Sequence, residues 1–397
     1  MNIKVYFVLF LAVTLSTGTI RAQWNVEKSP TGNNLNSICF SSSNSGWIVG
    51  DHGTILRKAT GGWSLYKSPT TKNLYSVFII DENDGWAVGE GGTIVHFDGI
   101  NWKIVESPTD KNLLSIRFQD SKNGISVGRL GTVILYKDGN WSLSDTKIRG
   151  DLFSADYINN EAWFGGGLEC VSVPLVKLSM AKGGNEPNST FNSYTSIFGL
   201  TFIKPDNGWA VGSPSVLMHY NGLSWEKVDI SERFSSLKSV FFSDENNGIS
   251  VGYNGTILVY SNYVWNKEKS NVIRNLNSTA ITGDKYYAVG DGGTILVRDQ
   301  NNSKDLNATE KLPSEIQLYP NPSDDFLKIV FPPESLNITG LITITNNFGQ
   351  IFLQRNFKLE NNNYIYQIAT KSFKDGLYVL KIKTGDRTTI NKFIVSH

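Results

Sequence analysis

The sequence predicts an all-β chain: a seven-bladed β-propeller followed by a small Ig-like β-sandwich. Three observations carry this. A Gly-Trp-rich unit recurs seven times at a near-constant period. Asn, Ser, Gly and Thr are abundant and long apolar helical runs are missing, as in chains of many short strands and turns. After residue 302 the repeat stops, and a polar stretch leads into short alternating segments of a different kind.

The first half of the unit reads "GWIVGDHGTIL" (46–56), "GWAVGEGGTIV" (85–95), "GISVGRLGTVI" (124–134), "GISVGYNGTIL" (248–258) and "YYAVGDGGTIL" (286–296). Two degenerate copies are "AWFGGGLECVS" (162–172) and "GWAVGSPSVLM" (208–218). Their shared glycines, Gly50, Gly89, Gly128, Gly166, Gly212, Gly252 and Gly290, step by 39, 39, 38, 46, 40 and 38 residues. That period matches one four-stranded propeller blade.

Each copy follows one grammar. "NLYSVFII" (73–80) alternates and is β-rich, so it reads as a first strand. "DENDG" is a turn of residues that tolerate positive φ, and "WAVG" is a second strand. "EGG" is a tight turn that uses glycine, "TIVHF" a third strand, "DGIN" a turn and "WKIVES" a fourth strand.

The ten tryptophans fit two slots. Trp47, Trp86, Trp163 and Trp209 take the second strand; Trp24, Trp63, Trp102, Trp141, Trp225 and Trp265 take the fourth. Blade-to-blade packing explains them better than a sugar-stacking cluster, because a large flat ring buries much apolar area between sheets. Trp24 lies in register with Trp63, but no first strand precedes it. The last copy lacks a fourth strand. The N-terminal strand is therefore expected to complete the last blade and remove an open edge.

The fourth repeat carries about seven extra residues between Val171 and Ile197. Both a functional loop and a surface bulge fit them.

The N-terminus, "MNIKVYFVLFLAVTLSTGTIRAQW", reads as a signal peptide over 1–22. Lys4 supplies the charge, Val5 to Leu15 the apolar run and Ala22 a small residue before the cut. No membrane span is expected after its removal. The propeller is assigned to 23–300, a polar linker to 301–315 and the second domain to 316–397. Cys39 and Cys170 fall in different repeats, so no disulfide is expected between them. A net charge of +1 gives no electrostatic case for nucleic acid.

In the C-terminal segment the strand candidates are "FLKIVF", "LITITN", "IFLQRNF", "YIYQIAT", "LYVLKIKT" and "TINKFIV". Together, "LYPNP" (318–322), "NNFGQIFLQ" (346–354) and "GLYVLKIKTGDRTTINKFIV" (376–395) resemble the C-terminal sorting domain of type IX secretion cargo of Bacteroidetes. The resemblance implies a T9SS type A sorting domain, passage through the periplasm and engagement of the type IX machinery by residues 316–397. The expected location is the outer cell surface or the medium. The propeller repeats resemble the photosystem II assembly-factor type of repeat and, more distantly, the BNR-like Asp-box repeats of sialidases. A type IX tail is out of place in a photosynthetic host, so photosystem assembly does not carry over. The full Asp-box pattern is absent; "DENDGW" is its nearest relic.

Candidate binding residues are those that vary inside the fixed Gly-x-x-Gly turn: Asp51, His52, Glu90, Arg129, Tyr253, Asn254 and Asp291. A closed ring would set them around one mouth of the central channel. Solvated turn residues are the plainer account of the same pattern. No catalytic residue can be named. His96 and His219 occupy one slot of separate blades and read as sheet-face residues rather than joint ligands, and no metal motif occurs. No cofactor is expected. The favoured function is a non-catalytic binding protein whose propeller face meets a surface protein or a glycan. The alternative is a sialidase-like glycan hydrolase or lyase using Asp51, Glu90 and Asp291 as an acidic rim. A purely structural role in the envelope is a third possibility.

Overall fold

Each repeat opens with Asn-Leu-x-Ser or a close variant, and this short pattern organises the first unit. The computed structural model describes residues 24–396 except 44, 160, 168–174, 180–194, 221, 223–224, 231, 262–263, 301–315, 320, 322, 324–325, 332–337, 360–364 and 386. The expected signal peptide and linker, most of the fourth-repeat insertion and Cys170 lie outside the described residues. Contacts divide the chain into two units, Met1–Ser303 and Lys304–His397.

In the first unit, Leu35–Ser42, Ser45–Gly50, Ile55–Ala59 and Gly62–Leu65 form an antiparallel sheet in that order. Later sheets start at Leu74–Asp81, Leu113–Asp120, Asp151–Ile158, Ser196–Lys204, Leu237–Phe242 and Leu276–Thr282. Among the described residues these are seven consecutive sheets, the fourth with three strands. Each first strand touches the next, and Leu276–Thr282 returns to Leu35–Ser42. The unit is all-β and propeller-like, with first strands at the centre.

The Asn-Leu-x-Ser pattern accounts for this close approach. The leucines Leu35, Leu74, Leu113, Leu152, Leu237 and Leu276 are fully buried. The serine accepts a backbone N–H from the next sheet: Val77 N–H to Ser37 Oγ at 3.1 Å, Ile116 N–H to Ser76 Oγ at 3.2 Å and Ala155 N–H to Ser115 Oγ at 3.2 Å. Ile38 N–H to Ser278 Oγ at 3.3 Å closes the circle. These N–H groups lie two residues beyond the bulged position, on first strands that form one edge of each sheet, where the ladder satisfies only one side. The repeated glycine after Val has a steric cause. A Cβ on Gly89 would lie 2.0 Å from the Asn73 carbonyl oxygen.

Tryptophan joins the outer parts of the sheets. A second-strand indole packs edge-on against the fourth-strand indole of the following sheet. Trp47 meets Trp102 at 5.4 Å, Trp86 meets Trp141 at 5.8 Å, Trp163 meets Trp225 at 6.0 Å and Trp209 meets Trp265 at 5.4 Å. At the seam Tyr287 takes the second-strand slot and meets Trp63 at 6.4 Å. On the preceding side Trp24 packs in one cluster with Ile249.

The last sheet is finished by the start of the chain. Asn25–Val26 pairs with Thr294–Asp299, Asn25 opposite Val297 and Val26 opposite Leu296. Carboxylates anchor this short strand on both sides. Trp24 Nε1–H donates to Glu268 at 2.8 Å, and Arg298, 3% exposed, pairs with the same carboxylate. Glu27 accepts from Trp63 Nε1–H at 2.7 Å and from Lys58 Nζ at 2.6 Å.

The second unit has two sheets among its described residues. One contains Gln317–Tyr319, Phe326–Val330 and Ile365–Ala369; the other contains Ile351–Lys358, Thr339–Asn346, Gly376–Thr384 and Arg387–Val395. Leu327, Ile329, Phe331, Ile342, Ile344, Leu380, Ile382 and Phe393 form its core. The "LYPNP" motif is tied to the last strand: Ile394 N–H donates to Asn321 Oδ1 at 2.9 Å, and Ser323 N–H to the Ile394 carbonyl at 2.7 Å.

Trp24→Ala removes a buried ring and one charge-assisted hydrogen bond at the seam. It is expected to destabilise the first unit by about 3–5 kcal/mol, measured by chemical denaturation. A loss under about 0.5 kcal/mol would mean that the N-terminal strand is a surface appendage.

Candidate functional site

The Gly-x-x-Gly turns do mechanical work, which limits what their variable residues can do. The first variable residue gives its backbone N–H to the residue just before the buried leucine of its own sheet. Asp51 N–H meets Asn34 O, Glu90 N–H meets Asn73 O and Asp291 N–H meets Asn275 O, at 2.9–3.0 Å. The second variable residue reaches the next sheet. His52 N–H donates to Asn73 Oδ1 at 2.8 Å, Gly91 N–H to Asn112 Oδ1 at 2.8 Å and Leu130 N–H to Asp151 Oδ1 at 2.9 Å. Asn254 N–H donates to Asn275 Oδ1 at 3.2 Å, and Gly292 N–H to Asn34 Oδ1 at 2.9 Å. To aim that N–H across the gap the residue takes a left-handed conformation: φ is +55° at His52, +56° at Leu130 and +55° at Asn254. The position is thus less free than its variability suggests, since side chains there carry backbone strain.

The acidic turn side chains are also engaged. Asp51 accepts from Asn34 and Asn36 amides at 2.9 Å each, and Asp291 from Asn275 and Asn277 at 2.9 Å each. Glu90 is exposed and accepts Asn73 N–H at 3.3 Å. Arg129 pairs with Asp151 and lies 5.8 Å from the Phe153 ring. Asn254 Nδ2–H reaches Ser235 Oγ at 3.4 Å.

Side chains converge beside these turns, at the third position of Asn-Leu-x-Ser. Asn36, Tyr75, Leu114, Phe198, Lys238 and Asn277, with Tyr253 from a turn, line a cavity of about 220 Å³. Of the seven turn candidates, only Tyr253 is on that wall. In the fourth sheet the same position is Phe153, whose ring meets Phe198 at 5.1 Å, edge to face. The circle has two sectors. Tyr75, Leu114, Phe153 and Phe198, from the second to fifth sheets, form an apolar arc. Lys238, Asn277 and Asn36, from the sixth, seventh and first, form a polar one.

The polar arc is a fixed hydrogen-bond chain. Asn277 donates both amide hydrogens, to Asp291 and to the Leu35 carbonyl at 3.0 Å, and accepts from Lys238 Nζ at 2.7 Å. Asn36 donates both of its hydrogens, to Asp51 and to the Leu74 carbonyl at 2.9 Å. Lys238 Nζ stands 4.7 Å from the Tyr253 ring centre. Burial pushes the Lys238 ammonium below the usual lysine pKa, while the Asp291 carboxylate pulls it back.

The sequence marked the frame of this site but not its contents. "NLYSVFII" reads as an alternating strand, and nothing local distinguishes the bulged third residue. The signal lies in comparison of repeats, where Asn, Leu and Ser recur around a residue of any chemistry.

Among the described residues, no group of three or more His, Cys, Asp and Glu is placed to hold a metal ion. His96 and His219 lie on third strands of the second and fifth sheets, stacked on Trp86 at 4.1 Å and near Trp209 at 4.5 Å. His96 Nε2 meets Asp84 at 3.0 Å, and His219 Nε2 meets Asn207 at 3.0 Å.

The comparisons with known proteins divide at the same place as the structure. Residues 317–396 match the secretion system C-terminal sorting domain. The tail is a type IX sorting domain. It marks the chain as type IX cargo, exported to the cell surface or the medium. Among the described residues no helix is long and apolar enough to cross a membrane.

The first unit is similar to solved propellers. YCF48 bound to D1 peptide matches with TM-score 0.59 and 17% identity, over 70% of this chain and 97% of that one. YCF48 from Cyanidioschyzon merolae gives 0.56 and 17%, over 70% and 100%. PorZ, an essential bacterial surface component of the type-IX secretion system of Porphyromonas gingivalis, gives 0.51 and 11%, over 90% of this chain and 58% of that one. At these identities the likeness is one of fold. No curated protein matches the chain by sequence.

Burial holds His219 at a pKa of about 4, below its ordinary 6.5, so the folded chain keeps it neutral. The unfolded chain binds the extra proton between those values, so stability falls as pH falls from 6.5 towards 4. His219→Gln is expected to flatten that decline, read as the difference in melting temperature between about pH 7.5 and about pH 4.5. An equally steep decline in the variant would mean that His219 contributes nothing to acid sensitivity.

Proposed function

We propose that this chain is a non-catalytic binding protein delivered outside the cell by its sorting domain. On this reading residues 23–300 are a seven-bladed propeller closed by the N-terminal strand, and residues 316–397 an Ig-like sandwich. Seven consecutive described sheets, the cyclic order of their contacts and the seam at Asn25–Val26 support the blade count. Two facing sheets' worth of strands around one apolar core support the sandwich.

The observation that carries the binding role is the cavity among the first strands. Its wall takes variable residues from successive repeats while the surrounding Asn, Leu and Ser hold the frame. Tyr253 joins that wall; Asp51, Asp291, Glu90, Arg129, His52 and Asn254 surround it as rim and support. A solved propeller of similar fold is described as bound to a peptide, so a partner of peptide size suits the architecture. A hydrolase would need a free pair of carboxylates. Asp51 and Asp291 each have both oxygens occupied by asparagine amides, which favours binding over hydrolysis.

The test uses the purified exported chain against the envelope fraction of the producing cells. Tyr253→Ala combined with Glu90→Gln is expected to weaken capture about tenfold or more, with a melting temperature within a few degrees of the parent. Undiminished capture would move the partner surface elsewhere. Turnover of a polysaccharide panel that disappears with Glu90→Gln would establish the hydrolase reading instead.

A further inference from the structure

We propose that the cavity among the first strands is a socket for one apolar peptide side chain flanked by a carboxylate. This rests on the binding-protein reading and names the chemistry its partner must present. About 220 Å³ is below the range of pockets for drug-sized ligands and suits one large side chain with its adjoining backbone. Leu114 and Phe198 supply an apolar wall, and Tyr75 and Tyr253 supply ring faces with hydroxyls.

Lys238 supplies the charge complementarity. Its ammonium has three N–H donors, and Asn277 Oδ1 takes one. Among the described residues the other two donors meet no hydrogen-bond acceptor. The carboxylate that acts on this ammonium, Asp291, is joined to it through Asn277 and has both oxygens capped by amides. The ammonium is half-buried and has no ion pair at hydrogen-bond distance among the described residues, so an arriving carboxylate gains more here than at an open surface.

The same inventory disfavours a sugar. Both amide groups in the wall have already spent their hydrogens on the frame. The sugar hydroxyls turned towards Leu114 and Phe198 would find no partner on that side, where an apolar side chain loses nothing.

The carboxylate can come from a chain terminus or from an acidic side chain. Three fluorescent peptides separate these: one ending in phenylalanine as the free acid, the same peptide amidated, and an amidated peptide with phenylalanine next to aspartate. Polarisation titrations against the intact exported chain are expected to show saturation by the free acid, the aspartate peptide or both. The carboxylate-free amide is expected to bind about tenfold weaker or worse. Lys238→Met should erase that preference and Lys238→Arg retain it. Leu114→Glu, which replaces the apolar wall with a like charge opposing the incoming carboxylate, should weaken the carboxylate peptides about tenfold or more.

Equal binding of acid and amide overturns the proposal, as does indifference to Lys238→Met and Leu114→Glu. Failure of every carboxylate peptide to saturate by about 1 mM also overturns it. A glycan whose binding is lost in both variants overturns the peptide assignment yet leaves the binding-protein reading intact. That wider reading fails separately, if the parent chain captures nothing from the envelope.

Discussion

The molecule depends on one constraint: adjacent first strands approach so closely that the edge-facing backbone N–H after each serine position must find its partner in the neighbouring sheet. Ser37, Ser76, Ser115 and Ser278 meet that demand with hydroxyls. Asn34, Asn73, Asn112 and Asn275 meet the parallel demand at the turns, accepting one N–H on the carbonyl and another on the side chain. A buried amide without a partner costs free energy comparable to a lost hydrogen bond. A four-residue motif repeated around a circle therefore holds more of the architecture together than its length suggests.

Functional freedom follows from that constraint. Three positions of Asn-Leu-x-Ser are occupied by the frame, and the remaining side chain projects towards the centre. Asn, Tyr, Leu, Phe and Lys all occur there without altering the clamp. The Gly-x-x-Gly turns have less latitude. Their backbones carry inter-sheet hydrogen bonds, their second positions are left-handed, and two of their acids hold asparagines. Pro214 marks the limit. It has no N–H to donate, and the fifth sheet's turn instead presents Ser213 Oγ to Ser236 Oγ at 3.0 Å.

The outer parts of the sheets obey a different rule. Indoles pair from each second strand to the following fourth strand, and where Trp is missing Tyr287 or Ile249 takes the place. At the seam, two carboxylates are added to this apolar stack. Glu27 and Glu268 fasten a strand of only two paired residues that burial and ladder hydrogen bonds alone would hold weakly. The sorting domain is built on other principles, with one apolar core and a proline-rich entry tied to its last strand.

The period of the glycines, the two tryptophan slots and the lone N-terminal Trp24 were enough to lay out the repeat and the strand that completes its last sheet. These features are local or periodic, and packing only enforces them. "LYPNP" with the ordered segments after it likewise marked the tail as a sorting domain. The wall of the cavity belonged to the tertiary structure. Lys238 and Phe198 stand 40 residues apart in ordinary strand positions, and only a bulge in each first strand turns them to the same opening. The sequence singled out the variable turn residues, because chemistry that differs inside a fixed frame looks like a site, and of these Tyr253 lines the cavity. Hydrogen bonds between sheets decided which variable positions carry the frame, and no single repeat contains the partner that makes those bonds.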